Sequence, residues 1–135
     1  MHTLSPASPL PGITVPVTID GYTQSGSSAN TNPTSQGLNT ILSIELDGSS
    51  LGVTTCLDVQ ADDVTIRGLV INRCGDRAVQ TTGAHANLVV EGCFIGSNPA
   101  GTQALSPYGG GILLRTHTNA RIGGCLLYTS PSPRD

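Results

Sequence analysis

The side chains that could do chemistry here are few: nine carboxylates, six arginines, three histidines and four cysteines, with no lysine in 135 residues. Without lysine, neither a Schiff base nor a lysine general base can form. Asp62-Asp63 resembles the paired acids of glycoside hydrolysis, where two carboxyls flank one bond. Asp63, however, falls in a column of turn residues described below, and a turn role explains it without catalysis. His85 and His117 each stand two residues before an asparagine, Asn87 and Asn119. Stacked in neighbouring strands they would offer two imidazoles to a metal, but the pattern supplies no third ligand. A polar pair at a turn edge is the expectation. Asp20, Asp47, Arg67 and Glu91 each precede a glycine. In one column, Asp20 and Asp47 would suit calcium, which favours clustered carboxylates. The simpler expectation is an exposed ladder with Arg67 between Asp47 and Glu91, a weak kind of contact. No Ser-His-Asp order and no phosphate-binding glycine loop is present.

These residues hang on a repeated phrase, apolar-x-apolar-x-Gly. It reads Val17-Thr18-Ile19-Asp20-Gly21, Ile44-Glu45-Leu46-Asp47-Gly48, Val64-Thr65-Ile66-Arg67-Gly68, Leu88-Val89-Val90-Glu91-Gly92 and Ala120-Arg121-Ile122-Gly123-Gly124, with the glycines 27, 20, 24 and 32 residues apart. Strand-period alternation recurring at such intervals predicts an all-β chain folded as a β-solenoid. Aligning the glycines brings Pro16, Asp63, Asn87 and Asn119 into one column, and Asn and Asp tolerate the left-handed backbone of a tight turn. Ile66, Val90 and Ile122 share a column, Leu69 aligns with Cys93, Ile71 with Ile95, and Leu57, Val79 and Ile112 open a second strand. Cys93 is therefore expected to face inward as a small hydrophobe.

Two long polar segments, Tyr22 to Thr40 and Ser97 to Gly110, interrupt the rhythm. Both follow the phrase strand or its short continuation and are expected on one side of the fold. Loops on a rigid scaffold carry binding residues more often than the scaffold does. Tyr22, Gln24 and Tyr108 are the candidate ligand-binding residues, because an exposed tyrosine offers a sugar both a ring face and a hydroxyl.

Composition bounds the partners. Only 11% of the residues are charged and the net charge is -3, which gives a nucleic-acid role no electrostatic support. No stretch approaches the ~18 apolar residues of a membrane span. No charged start followed by an apolar run marks a secretory signal. The last eleven residues, Cys125 to Asp135, break the repeat, and a sequencing adapter of the tagmentation type encodes them residue for residue. The expectation is a β fragment over 1–124 and a foreign tail over 125–135. That leaves Cys56, Cys74 and Cys93, an odd and unevenly spaced set without C-x-x-C, and a poor basis for a disulfide framework or a zinc site.

The segments Val17 to Gln24, Ile44 to Gly48, Val64 to Asn72 and Phe94 to Thr102 resemble bacterial right-handed parallel β-helix repeat proteins of the pectin-lyase-like superfamily. The likeness extends over roughly residues 2 to 124. It implies a right-handed parallel β-helix of about four to five rungs, in a protein that is secreted or held at the cell surface. His2 to Pro6 looks like the middle of such a protein. The superfamily's catalytic phrases, built around Arg or Lys and several Asp, have no positional match here, so no catalytic residue is carried over. The expected role is structural or adhesive and non-catalytic, with a polysaccharide or cell-surface glycan as ligand and the remainder of the parent β-helix as partner. The alternative is part of a polysaccharide lyase or glycoside hydrolase acting on acidic polysaccharide, for which calcium at Asp20 and Asp47 would be the cofactor.

Overall fold

The computed structural model describes residues 2–37 and 39–123. The expected foreign tail and the last glycine of the fifth phrase lie outside these. Among the described residues thirteen short strands occur: β1 (His2–Leu4), β2 (Thr18–Asp20), β3 (Ile44–Asp47), β4 (Leu57–Val59), β5 (Thr65–Arg67), β6 (Val70–Asn72), β7 (Arg77–Thr81), β8 (His85–Ala86), β9 (Val89–Glu91), β10 (Phe94–Ile95), β11 (Gly110–Leu113), β12 (His117–Thr118) and β13 (Arg121–Ile122). Two 3-10 turns, Gly21–Thr23 and Thr34–Gln36, are the helical elements among the described residues. The chain is all-β, and every paired strand is parallel to its neighbour.

Four sheets form, in the orders β1-β3-β6-β10, β11-β7-β4, β12-β8 and β13-β9-β5-β2. We call the first the β6 sheet, the second the β7 sheet and the last the β5 sheet. Parallel neighbours cannot be joined by a hairpin, so the chain visits the other sheets before it returns. The strands alternate inward and outward, and the inward residues fall in register: Ile19, Ile66, Val90 and Ile122 on the β5 sheet, Leu46, Ile71 and Ile95 on the β6 sheet, and Leu57, Val79 and Ile112 on the β7 sheet. Together with Val64 and Leu88, all of these except Ile122, which stays exposed on the edge strand β13, form one aliphatic core, in which Ile66, Ile71, Val79 and Leu88 are fully buried. Cys93 packs against this core as expected.

The turn column is also as expected. Asp63, Asn87 and Asn119 take φ values of 58°, 67° and 55°, the left-handed region that Asn and Asp enter at least cost. The Asn87 amide donates to Asp63 Oδ1 at 2.9 Å, so successive turns brace each other.

Three expectations need correction. The Ile44 phrase does not stack on the others. β2 pairs directly with β5, while β3 pairs with β1 and β6, and this sets Asp47 opposite Asn72 and Asp20 opposite Arg67. The reason is the long segment after Gly21, which delivers the Ile44 phrase to the sheet that Gly68 reaches in a single step. The two polar segments leave from different corners, the first between β2 and β3, the second between β10 and β11. They flank the same sheet and approach each other, Thr40 of the first and Ser97, Pro99, Ala100 and Gly101 of the second lining one cleft with Phe94 and Ile95. Finally, Cys56 and Cys74 form a disulfide with Cα atoms 5.6 Å apart. Their spacing of 18 residues matches no framework, but the fold lays their two corners side by side.

Candidate functional site

The corner that leads from the β6 sheet to the β7 sheet is built from three successive chain segments, Gly48 to Thr55, Arg73 to Asp76 and Gly96 to Gly109. A cleft of about 600 Å³ opens among them, lined by Ser49, Val53, Arg73, Leu105, Ser106 and Tyr108. Each segment is tied to the next by backbone. Asp76 N–H donates to Thr54 O at 3.0 Å, Arg73 N–H to Leu105 O at 3.1 Å, Tyr108 N–H to Cys74 O at 3.0 Å and Gly109 N–H to Asp76 O at 2.6 Å. The disulfide adds a covalent tie between the first two segments.

Two apolar side chains stand open at this corner: Tyr108 is 93% exposed and Val53 89%. Arg73, which lines the same cleft, belongs to a polar pair. Arg73 Nη1 is 3.1 Å from Asp47 Oδ2, and the Ser49 backbone N–H donates to Asp47 Oδ1 at 2.9 Å. Burial pushes the Asp47 carboxyl up, but the Ser49 backbone N–H, the Ser49 side chain and the Arg73 guanidinium outweigh it and hold the carboxyl below its ordinary value. Arg73 itself has φ 54°, an uncommon conformation for a long side chain without local hydrogen-bonding groups. Strain of this kind persists where neighbours over-determine the backbone. Here the Leu105 carbonyl holds its amide and the disulfide follows at the next residue. A flat exposed ring, two serines and a guanidinium paired with a neighbouring carboxylate, all but the carboxylate lining one opening, can stack on a sugar and hydrogen-bond its hydroxyls.

Of the tyrosines and Gln24 singled out from sequence, only Tyr108 lies at this cleft. Tyr22 sits at the corner between the β5 and β6 sheets. It is half-buried, its hydroxyl donates to Gly92 O at 3.0 Å, and the Arg67 guanidinium lies 5.0 Å from its ring centroid. Gln24 follows the 3-10 turn there and closes it by donating its N–H to Gly21 O at 3.2 Å. Asp20 caps the same turn, its Oδ1 accepting from Tyr22 N–H at 2.9 Å.

The charged column is present with one member exchanged. Arg67 lies between Asp20, at 3.5 Å, and Glu91, at 3.6 Å, and Arg121 reaches Glu91 at 3.1 Å. Asp20 and Asp47 therefore stand in different sheets, each against its own arginine, and are not brought together as a calcium pair. Among the described residues no group of three or more His, Cys, Asp and Glu is placed to hold a metal ion. His85 and His117 do stack in register, across the pair β8 and β12. Asp62 Oδ1 lies 3.3 Å from His85 Nδ1, and His117 Nε2 accepts from the Leu88 backbone N–H at 3.3 Å. Burial, and then the neighbouring His85, lower the His117 pKa, with Asp62 opposing them.

Sequence reasoning missed Arg73, Val53 and the disulfide. Arg73-Cys74-Gly75 lies between two strands in a segment with no repeat partner, so column alignment had nothing to register there. No family model, no curated protein and no solved structure matches this chain. No helix of the described residues is long and apolar enough to cross a membrane.

Proposed function

We propose that this chain is a stretch of right-handed parallel β-helix from a secreted or cell-surface bacterial protein, and that it binds carbohydrate without catalysing a reaction. The fold part of the reading is supported by sheets that each take one strand per repeat, joined by turns at left-handed Asp63, Asn87 and Asn119. The location is supported by the Cys56–Cys74 disulfide, since such bonds persist in oxidising compartments. The binding part rests on one observation: Tyr108 projects almost fully exposed beside the Arg73–Asp47 pair at the mouth of the cleft. An aromatic platform flanked by hydrogen-bonding groups is the chemistry that saccharides require.

The test is a glycan array probed with the wild-type chain and with Tyr108→Ala. The reading expects a defined set of saccharides retained by the wild type and weakened at least about tenfold in the variant, the equivalent of 1.4 kcal/mol. A blank array, or binding unchanged by the substitution, overturns it.

A further inference from the structure

We propose that the Cys56–Cys74 disulfide is the positioning element of the cleft: it fixes the cleft walls locally, and the chain binds saccharide there only when the bond is formed. The second clause rests on the carbohydrate reading above; the first does not. The geometry points to Cys74 as the junction. Its side chain is bonded to Cys56, which ends the wall that carries Ser49 and Val53. Its own carbonyl accepts the Tyr108 N–H, and its predecessor Arg73 donates its N–H to Leu105 O. One residue thus joins all three walls, and both of its neighbouring contacts reach cleft-lining residues.

The local character of the bond follows from what surrounds it. The aliphatic ladders of the β5 sheet run through Ile66, Val90 and Leu88, none of which belongs to the three corner segments. Those ladders have parallel pairing and full burial of their own. The corner has no such pairing and reaches the core through little beyond Leu51 and the two cysteines. Gly48 to Thr55 holds no strand, Arg73 to Asp76 holds none, and the lining side chains Val53 and, on the third segment, Tyr108 bury almost nothing. A segment with few buried apolar contacts opens at low free energy unless something else restrains it. Here the restraint is covalent. It also shows why Arg73 keeps its left-handed backbone: the amide on one side and the disulfide-linked residue on the other leave it no relaxed alternative.

The experiment is residue-resolved amide hydrogen exchange on the wild-type chain and on the double variant Cys56→Ala/Cys74→Ala, alongside the glycan array. The expected result is exchange at least tenfold faster at Arg73, Tyr108 and Gly109 in the double variant, with Thr65, Val89 and Arg121 in the β5 sheet changed less than twofold. Acceleration spread evenly over both groups, or outright unfolding of the variant, makes the bond a global staple and overturns the proposal. Unchanged exchange at the corner overturns it equally. On the array, loss of the wild-type signals in a variant with local acceleration supports it, and retention of those signals overturns the binding clause. A wild-type chain that binds nothing on the array removes the carbohydrate reading alone, and the exchange data still decide the role of the disulfide.

Discussion

Tyr22 and Tyr108 stand at the two corners that flank the β6 sheet, and they meet opposite fates. At Tyr22 the chain turns within a residue or two at Gly68 and Gly92, and the ring fills the space those turns leave, held by the Gly92 carbonyl and the Arg67 guanidinium. At Tyr108 the connections are long, irregular and cross-linked, and the ring points into solvent. At Gly68 and Gly92 the first corner closes tightly because each crossing must stack on the other, and only its β2–β3 crossing is long. The second is free of that demand and can carry a shaped opening. Polar aromatic residues in loops are therefore not equivalent: what decides their role is how tightly the corner beneath them is closed.

The sharpest way to break this contrast is a pair of glycine substitutions. Gly92 has φ 62°, and a Cβ there would strike the Tyr22 hydroxyl, whereas Gly52 has φ 77° with nothing within 4 Å. Gly52→Ala should cost only the left-handed penalty of about 1–2 kcal/mol, and Gly92→Ala should cost more because Tyr22 must also move. Denaturant midpoints measure both, and an equal or reversed order would show that the closed corner is not closed by Tyr22. Next in size, Tyr22→Phe removes the bond to Gly92 and should lower stability by about 1 kcal/mol. Tyr108→Phe at the open corner should leave the midpoint unchanged.

A third measurement concerns the remaining turn, where His85 stacks on His117. The folded chain lowers the His117 pKa, so its native state prefers the neutral ring that accepts the Leu88 N–H. The unfolded chain then binds the extra proton more readily. Its contribution is complete above the ordinary histidine value of about 6.5 and is lost as pH falls from there through the lower folded value. Thermal midpoints should decline from pH 7.5 to 5.5, and His117→Asn should flatten that slope. Asp47, also held low, loses its contribution only in more acidic solution, as pH falls below the ordinary carboxylate range, so the two windows separate. A small loss is expected at Arg67→Gln, where two partly exposed ion pairs and the contact with the Tyr22 ring disappear. That change should cost less than about 1 kcal/mol and shrink further in high salt.

Legibility followed the same division. Asp63, Asn87 and Asn119 were readable as turn residues because their side chains favour the left-handed backbone locally. The columns Ile66-Val90 and Val79-Ile112 were readable because alternation has a period of two and each residue stands at a near-constant distance before the next phrase glycine. Asp47 was misplaced because the polar segment Tyr22 to Thr40 before it hides which sheet its strand will join. Tyr22 was misjudged because its partner, the Gly92 carbonyl, is 70 residues away.

The amino-acid sequence alone determined the all-β character, the inward ladders and the turn positions, since alternation, small polar turns and local φ preference act over a few residues. Only the tertiary structure decided that β3 joins β6, that Cys56 meets Cys74, and that Arg73, paired with Asp47, shares one cleft with Tyr108. Those are contacts between segments whose separation in sequence carries no period, and nothing but the stacking of their neighbours brings them together.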